Sequence, residues 1–161
     1  MNISDYNQCV DKHADGVYRF ILKHLRVEDR ARDVVQDAFL KMWEKHKDID
    51  SQKSKSYLYT TAYHCMIDVL RREKRVEYRE EIPRNFSSQE MAPPDFQHLL
   101  SLALDKLPEI QKTVVLLRDL EGYNYDEIGE ICGLNPSQVK VYIYRARLSM
   151  KSFIGKVEVM I

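Results

Sequence analysis

YDEIGEICGLNPSQVKVYIYRARLSM, residues 125–150, holds two helical patterns separated by a glycine. Tyr125–Cys132 is a short amphipathic segment closed by Gly133, the residue type that most easily takes the left-handed backbone at a helix end. Pro136 then suits a first helical position, with Asn135 as its N-cap. Beyond it, Val139, Ile143, Ala146 and Met150 share one face of a helix over about 136–150, because residues three and four apart stack on the same side. Ser137, Val141, Tyr144 and Leu148 point the opposite way, flanked by Gln138, Lys140 and Arg145. Helix, glycine turn, then a helix with polar and basic residues outward is the helix-turn-helix pattern. Its second helix fits a DNA major groove, where lysine or arginine pairs with guanine and glutamine with adenine.

The flanking sequence supplies the rest of a helical lobe. Leu99, Leu100, Ala103, Leu104 and Leu107 form one stripe, and Pro108 opens a further helix carrying Ile110, Val114 and Leu117. Upstream, periodicity fails from about Val76 to Asp95, where Pro83, Pro93, Pro94, paired serines and clustered glutamates read as a linker. Three more helical stripes precede it. The first holds Val17, Phe20, Ile21 and Leu25, and the second, over 30–46, holds Ala31, Val34, Val35, Ala38, Phe39, Met42 and Trp43. The third runs from Leu58 through Ala62, Met66, Val69 and Leu70 into Arg71-Arg72-Glu73-Lys74-Arg75, with Asp50–Ser56 as a polar loop before it. The expected fold is all-α: two small helical domains, 1–75 and 96–161, joined by the linker 76–95, the second a four-helix domain with the helix-turn-helix.

Composition agrees with that class. The 161 residues are 44% apolar and 31% charged, a globular balance. Five glycines and five prolines are too few for a turn-rich β-sandwich. No apolar run is long enough to span a membrane, and the start MNISDYNQCVDKHADG lacks the apolar core of a signal peptide. Cys9, Cys65 and Cys132 lie far apart without pairing spacings, which suits a reducing cytoplasm. Formal charge sums to zero, but residues 1–75 carry 15 basic and 12 acidic side chains, and 135–161 carry 5 and 1. Residues 76–95 carry 2 and 5, and 96–134 carry 3 and 7, so two basic zones flank an acidic stretch. Phosphate contacts depend on local cations, so a neutral total does not argue against nucleic acid.

Catalytic chemistry finds no foothold. Cys9 and His13 stand at i, i+4, yet zinc needs three or four ligands, and His24, His64, Cys65 and Cys132 offer no matching second pair. Glycine-rich phosphate loops, GxSxG elbows and HExxH motifs are missing. The expectation is a protein with no enzymatic activity, no cofactor, no metal and no small-molecule substrate.

Four blocks carry a family resemblance. Residues 32–43, RDVVQDAFLKMW, are similar to the AxDLVQExFLxxW block of extracytoplasmic-function sigma factors, the small two-domain initiation subunits of bacterial RNA polymerase. Residues 57–72, YLYTTAYHCMIDVLRR, resemble that family's WLYxIAxNxxxDxLRR. Leu104–Pro108, Gln111, Leu117-Arg118, Glu121-Gly122-Tyr123 and Tyr125-Asp126-Glu127-Ile128 follow its AL-LP-Q-LR-EGxSYxEIA run, which Val139-Lys140 and Arg145-Ala146-Arg147 complete. Departures are Tyr57 for tryptophan, His64 for asparagine, Gly129 for alanine, and Val141-Tyr142 for Ser-Arg.

The resemblance implies a division of labour. Asp33, Gln36, Asp37, Leu40 and Trp43 would dock on core RNA polymerase, although Phe39 and Trp43 are also candidates for the core of the lobe. His64, Asp68, Arg71, Arg72, Lys74 and Arg75 would engage the −10 element, with a flipped base held near Ser51–Ser56 and with His64 and Asp68 close by. Ser137, Gln138, Lys140, Tyr144 and Arg145 would contact the −35 element. It further implies an anti-sigma factor as partner, often membrane-bound in this family. The alternative is a helix-turn-helix regulator that binds duplex DNA without polymerase, usually as a dimer on two half-sites.

Overall fold

A computed structural model describes residues 1–79 and 95–160, with side chains described for 1–74 and 95–157. Among the described residues there are seven α-helices and no strand, as the sequence pattern predicts. They are α1 (Ile3–Leu25), α2 (Glu28–Glu44), α3 (Ser54–Arg79), α4 (Phe96–Asp105), α5 (Glu109–Asp119), α6 (Tyr125–Cys132) and α7 (Pro136–Met160). Short 3-10 turns occupy His46–Asp48 and Ser51–Lys53.

The chain divides into two compact units, one built on α1–α3 and the other on α4, α5, the first part of α6 and α7. In the first unit each helix packs on the other two. Val17, Phe20 and Ile21 of α1, Ala31, Val34, Ala38 and Met42 of α2, and Leu58, Tyr59, Ala62 and Met66 of α3 are buried. The helix boundaries have local causes. The Asn2 side chain caps α1 by accepting from the Asp5 N–H at 2.7 Å. Arg26 closes that helix in the left-handed region, its N–H 2.9 Å from the Leu22 carbonyl. Asp50 accepts from the Gln52 N–H at 3.1 Å and starts the turn that leads into α3. In the second unit α4 and α5 both pack on α7, around Leu99, Ala103, Val114, Leu117, Val139, Ile143 and Ala146.

Several expectations are corrected. The loop read over 50–56 is shorter, because Ser54–Ser56 are already helical in α3. At its other end α3 runs to Arg79, four residues into the segment read as linker. Arg71–Arg79 has no sustained apolar stripe, but Arg, Glu and Lys are good helix formers, so propensity carries the helix on. Residues 80–94, the remainder of that segment apart from Asp95, lie outside the described residues. Asp95 is the N-cap of α4, accepting from the His98 N–H at 2.7 Å. Helix α7 continues ten residues past Met150. Its extension is anchored where Lys106 Nζ sits 5.1 Å from the Phe153 ring centre.

Trp43 and Phe39 are a further correction. Trp43 is 38% exposed and Phe39 only half-buried, so neither belongs to the fully buried core. The buried line of α2 is Ala31, Val34, Val35, Ala38 and Met42, and Phe39 and Trp43 each lie one residue beyond it, on its flank.

Candidate nucleic-acid and partner interfaces

Both helices of the 125–150 motif begin on an asparagine. Asn124 Oδ1 accepts from the Glu127 N–H at 2.8 Å, and Asn135 Oδ1 accepts from the Gln138 N–H at 2.8 Å. The second cap is reciprocal, since Gln138 Oε1 accepts from the Asn135 N–H at 3.0 Å, a capping box. Gly133, at φ 72°, turns the chain between the helices. The turn is closed by the Leu134 N–H donating to the Gly129 carbonyl at 2.9 Å. A Cβ at residue 129 would lie 2.5 Å from the Leu134 carbonyl oxygen. Gly129 therefore permits a close backbone approach, at the cost of the helix propensity an alanine would bring.

Helix α7 buries Val139, Ile143 and Ala146, leaving Ser137, Gln138, Lys140, Tyr144 and Arg145 exposed together with Val141 and Leu148. The five sequence-predicted residues thus occupy the outward side of one helix. Arg147 is turned to the protein, donating to Asp119 Oδ1 of α5 at 2.6 Å. Leading into α6, the Arg118 guanidinium donates to the Tyr123 carbonyl at 2.9 Å and lies 5.1 Å from the Tyr125 ring centre.

In the first unit Asp33, Gln36, Asp37 and Leu40 are exposed on the outer side of α2, with Leu40 56% exposed among carboxylates. Trp43 borders them. Its ring stacks on His46 (4.1 Å between centres, 7° between planes) and meets the edge of Tyr6 at 4.9 Å. Tyr6 Oη in turn donates to the Phe39 carbonyl at 2.9 Å, fixing α1 to α2 beside that surface.

A groove of about 310 Å³ runs between α2 and α3. Arg30, Asp33, Asp37 and Lys41 line it from α2, and Cys65, Asp68 and Arg72 from α3. Lys41 Nζ lies 3.5 Å from Asp37 and donates to Cys65 Sγ at 3.6 Å, while Arg30 pairs with Glu73. Burial pushes the Cys65 thiol above its ordinary range, so it is a neutral thiol at pH 7. Asp33 and Asp37, read as polymerase contacts, thus share a groove with Asp68 and Arg72, read as −10 contacts. Arg30 and Lys41 were not singled out in the sequence, although their spacing from Asp33 and Asp37 puts all four on one stripe of α2.

Of the remaining −10 candidates, His64 and Arg71 share an exposed i, i+4, i+7 line of α3 with the groove residue Asp68, and Lys74 is also exposed. The side chain of Arg75 lies outside the described residues. His64 and Asp68 stand about 12 and 18 Å along the helix axis from Ser56, so they do not adjoin the 51–56 segment. Ser51 is tied to α1, its hydroxyl donating to Asp5 Oδ2 at 2.8 Å. Among the described residues no three His, Cys, Asp or Glu side chains converge as a metal site, and no helix is long and apolar enough to cross a membrane.

Comparison with known proteins assigns the class of both units. Residues 9–76 match the Sigma-70 region 2 family and residues 97–150 match Sigma-70, region 4. RNA polymerase sigma factor SigV of Bacillus subtilis is 30% identical, across 92% of this chain and 90% of its own. The ECF RNA polymerase sigma-E factor of Haemophilus influenzae is 26% identical, across 88% and 83%. Among solved structures, RpoE bound to the anti-sigma factor NepR of Bartonella quintana shares the fold at TM-score 0.79, with 20% identity across 95% of this chain and 98% of that one. CnrH bound to the cytosolic domain of CnrY gives TM-score 0.72, with 22% identity across 96% and 90%.

The chain belongs to the extracytoplasmic-function group of the sigma-70 family. Its role is that of a sigma factor in promoter-specific initiation of transcription.

Proposed function

We propose that residues 1–75 dock on core RNA polymerase and read the −10 element, that 76–95 links the lobes, and that 96–161 reads the −35 element. Asp33, Gln36, Asp37, Leu40 and Trp43 are the polymerase contacts. The observation that carries this is the exposure of Leu40, and of part of the Trp43 ring, on the carboxylate-bearing side of α2. His64, Asp68, Arg71 and Arg72, with Lys74 and Arg75, engage the −10 region. The cationic members hold phosphates there, and the chain captures a base already flipped from the stack. Ser137, Gln138, Lys140, Tyr144 and Arg145 meet the −35 region from the outward side of α7.

The protein acts in the cytoplasm, where its template and polymerase are, and contributes binding and positioning rather than catalysis. An anti-sigma factor restrains it when transcription of its targets is off, as NepR is the partner of the similarly folded RpoE.

A pull-down of purified bacterial core polymerase tests this reading, with wild type beside Asp33→Arg/Gln36→Ala. Stoichiometric capture that the double change abolishes is the expected result. Failure of wild type to bind competent core enzyme, combined with a shift of duplex promoter DNA by the protein alone, would establish the free-standing regulator instead.

A further inference from the structure

The outward side of α7 is apolar at its centre. Directly opposite the buried Val139, Ile143 and Ala146 lie Val141 (43% exposed), Tyr144 (65%) and Leu148 (49%). Lys140 and Lys151 flank this strip on one side and Arg145 on the other, all exposed. Two polar side chains near the strip are already committed: Gln138 spends its carbonyl in the capping box, and Arg147 is held by Asp119. Val141 and Tyr144 therefore face outward between cations in the N-terminal part of α7, and it is the N-terminal part of a recognition helix that reaches base edges.

An apolar strip between cations suits one feature of the major groove. Thymine alone among the four bases presents a methyl group there, while lysine and arginine at the strip edges fall toward the phosphates on either side. The 5 basic and 1 acidic side chains of residues 135–161 match a polyanion better than an ordinary protein surface. Resting on the −35 role proposed above, we infer that Val141 and Tyr144 select the −35 element by contact with thymine methyl groups. Lys140 and Arg145 supply phosphate attraction that is indifferent to sequence. Leu148 lies one turn beyond Tyr144 and outside this contact.

Holoenzyme reconstituted from the full chain and bacterial core polymerase tests this by selecting promoters from duplexes randomised across the −35 segment. Each thymine of the selected element is then replaced by deoxyuridine, which removes only the methyl. Binding should weaken about three- to fivefold at one or two positions, the size expected for one buried methyl. Val141→Ser or Tyr144→Ser should abolish that sensitivity at its own position, whereas Tyr144→Phe and Leu148→Ser should keep it. A selected element of G·C pairs, tolerance of deoxyuridine throughout, or variants with wild-type sensitivity would overturn the inference alone. Loss of core-polymerase binding by Val141→Ser and Tyr144→Ser would also overturn it and make the strip a protein contact. A holoenzyme that binds core but selects no −35 sequence would instead overturn the −35 role itself.

Discussion

Arg147 of α7 donates to Asp119 of α5 across 2.6 Å, and that pair ties one of the two arginines of the Arg-Ala-Arg sequence to the protein, away from the side of α7 proposed to meet the −35 element. Arg145, two residues earlier, remains exposed beside Tyr144. Two near-identical arginines thus have different tasks.

Arg147→Ala should lower stability by less than about 1 kcal/mol, as expected for a half-exposed ion pair, and leave promoter choice unchanged. Arg145→Ala should weaken promoter binding across sequences and flatten its dependence on log salt by about one unit. Thermal unfolding and a salt titration of holoenzyme–promoter binding separate the two.

Gly129→Ala should destabilise the protein. Helix propensity alone would favour alanine by about 1 kcal/mol, but the new Cβ would meet the Leu134 carbonyl oxygen at 2.5 Å and push open the turn between α6 and α7. A lower melting temperature together with weaker −35 binding is the expected pair of results. A melting temperature above wild type would show that the turn relaxes freely.

Gln138→Glu separates capping from base reading. Glutamate keeps an oxygen to accept from the Asn135 N–H and suits a helix start, but it has no amide donor for adenine. Stability should match wild type within about 0.5 kcal/mol. Asn135→Ala, which removes the cap, should lose about 1 kcal/mol. A changed base preference for the glutamate variant in promoter selection would assign Gln138 a reading role besides its cap.

Trp43 is the single tryptophan, so its fluorescence reports one site. At 38% exposure it should be open to quenching by acrylamide in the free protein and protected, with a blue-shifted emission, when core polymerase binds. Trp43→Ala should cost less than the roughly 3–5 kcal/mol of a truncated core aromatic, because the ring is partly exposed rather than enclosed in the core.

The cysteines make stability fall at high pH. Burial raises the thiols of Cys9, Cys65 and Cys132 above 9.0, that of Cys132 to about 12. An unfolded chain sheds these protons first, so it binds fewer protons than the folded one between pH 9 and about 12, and stability declines through that window. Cys132→Ala should flatten part of the decline in denaturant melts run from pH 8 to pH 11. The native thiols should alkylate slowly at neutral pH and rapidly once the chain is unfolded.

Helix type and helix facing were legible in the sequence because both are local. The spacing of Val139, Ile143 and Ala146 determines which side of α7 is buried whatever it packs against. Asn135, Pro136 and Gly133 announce the turn for the same reason, each acting on backbone within a few residues. The far ends of α3 and α7 were not legible, since propensity and one distant aromatic contact extend them without a continuing apolar stripe.

Tertiary structure decided the rest, in each case through a partner remote in the chain. Trp43 lies at the edge of an apolar stripe, where periodicity admits either core or surface. Packing of α1 beside α2 left it outside, between Tyr6 and His46. Asp33 and Asp37 belong to one stripe and Asp68 and Arg72 to another, and only the packing of α2 on α3 makes them the walls of one groove. Arg147 and Arg145 differ because Asp119, on a helix 28 residues away in sequence, is within reach of one of them. Periodicity sets which side of a helix faces inward, whereas the pairing of side chains between helices depends on axial offset and crossing angle, which no single segment encodes.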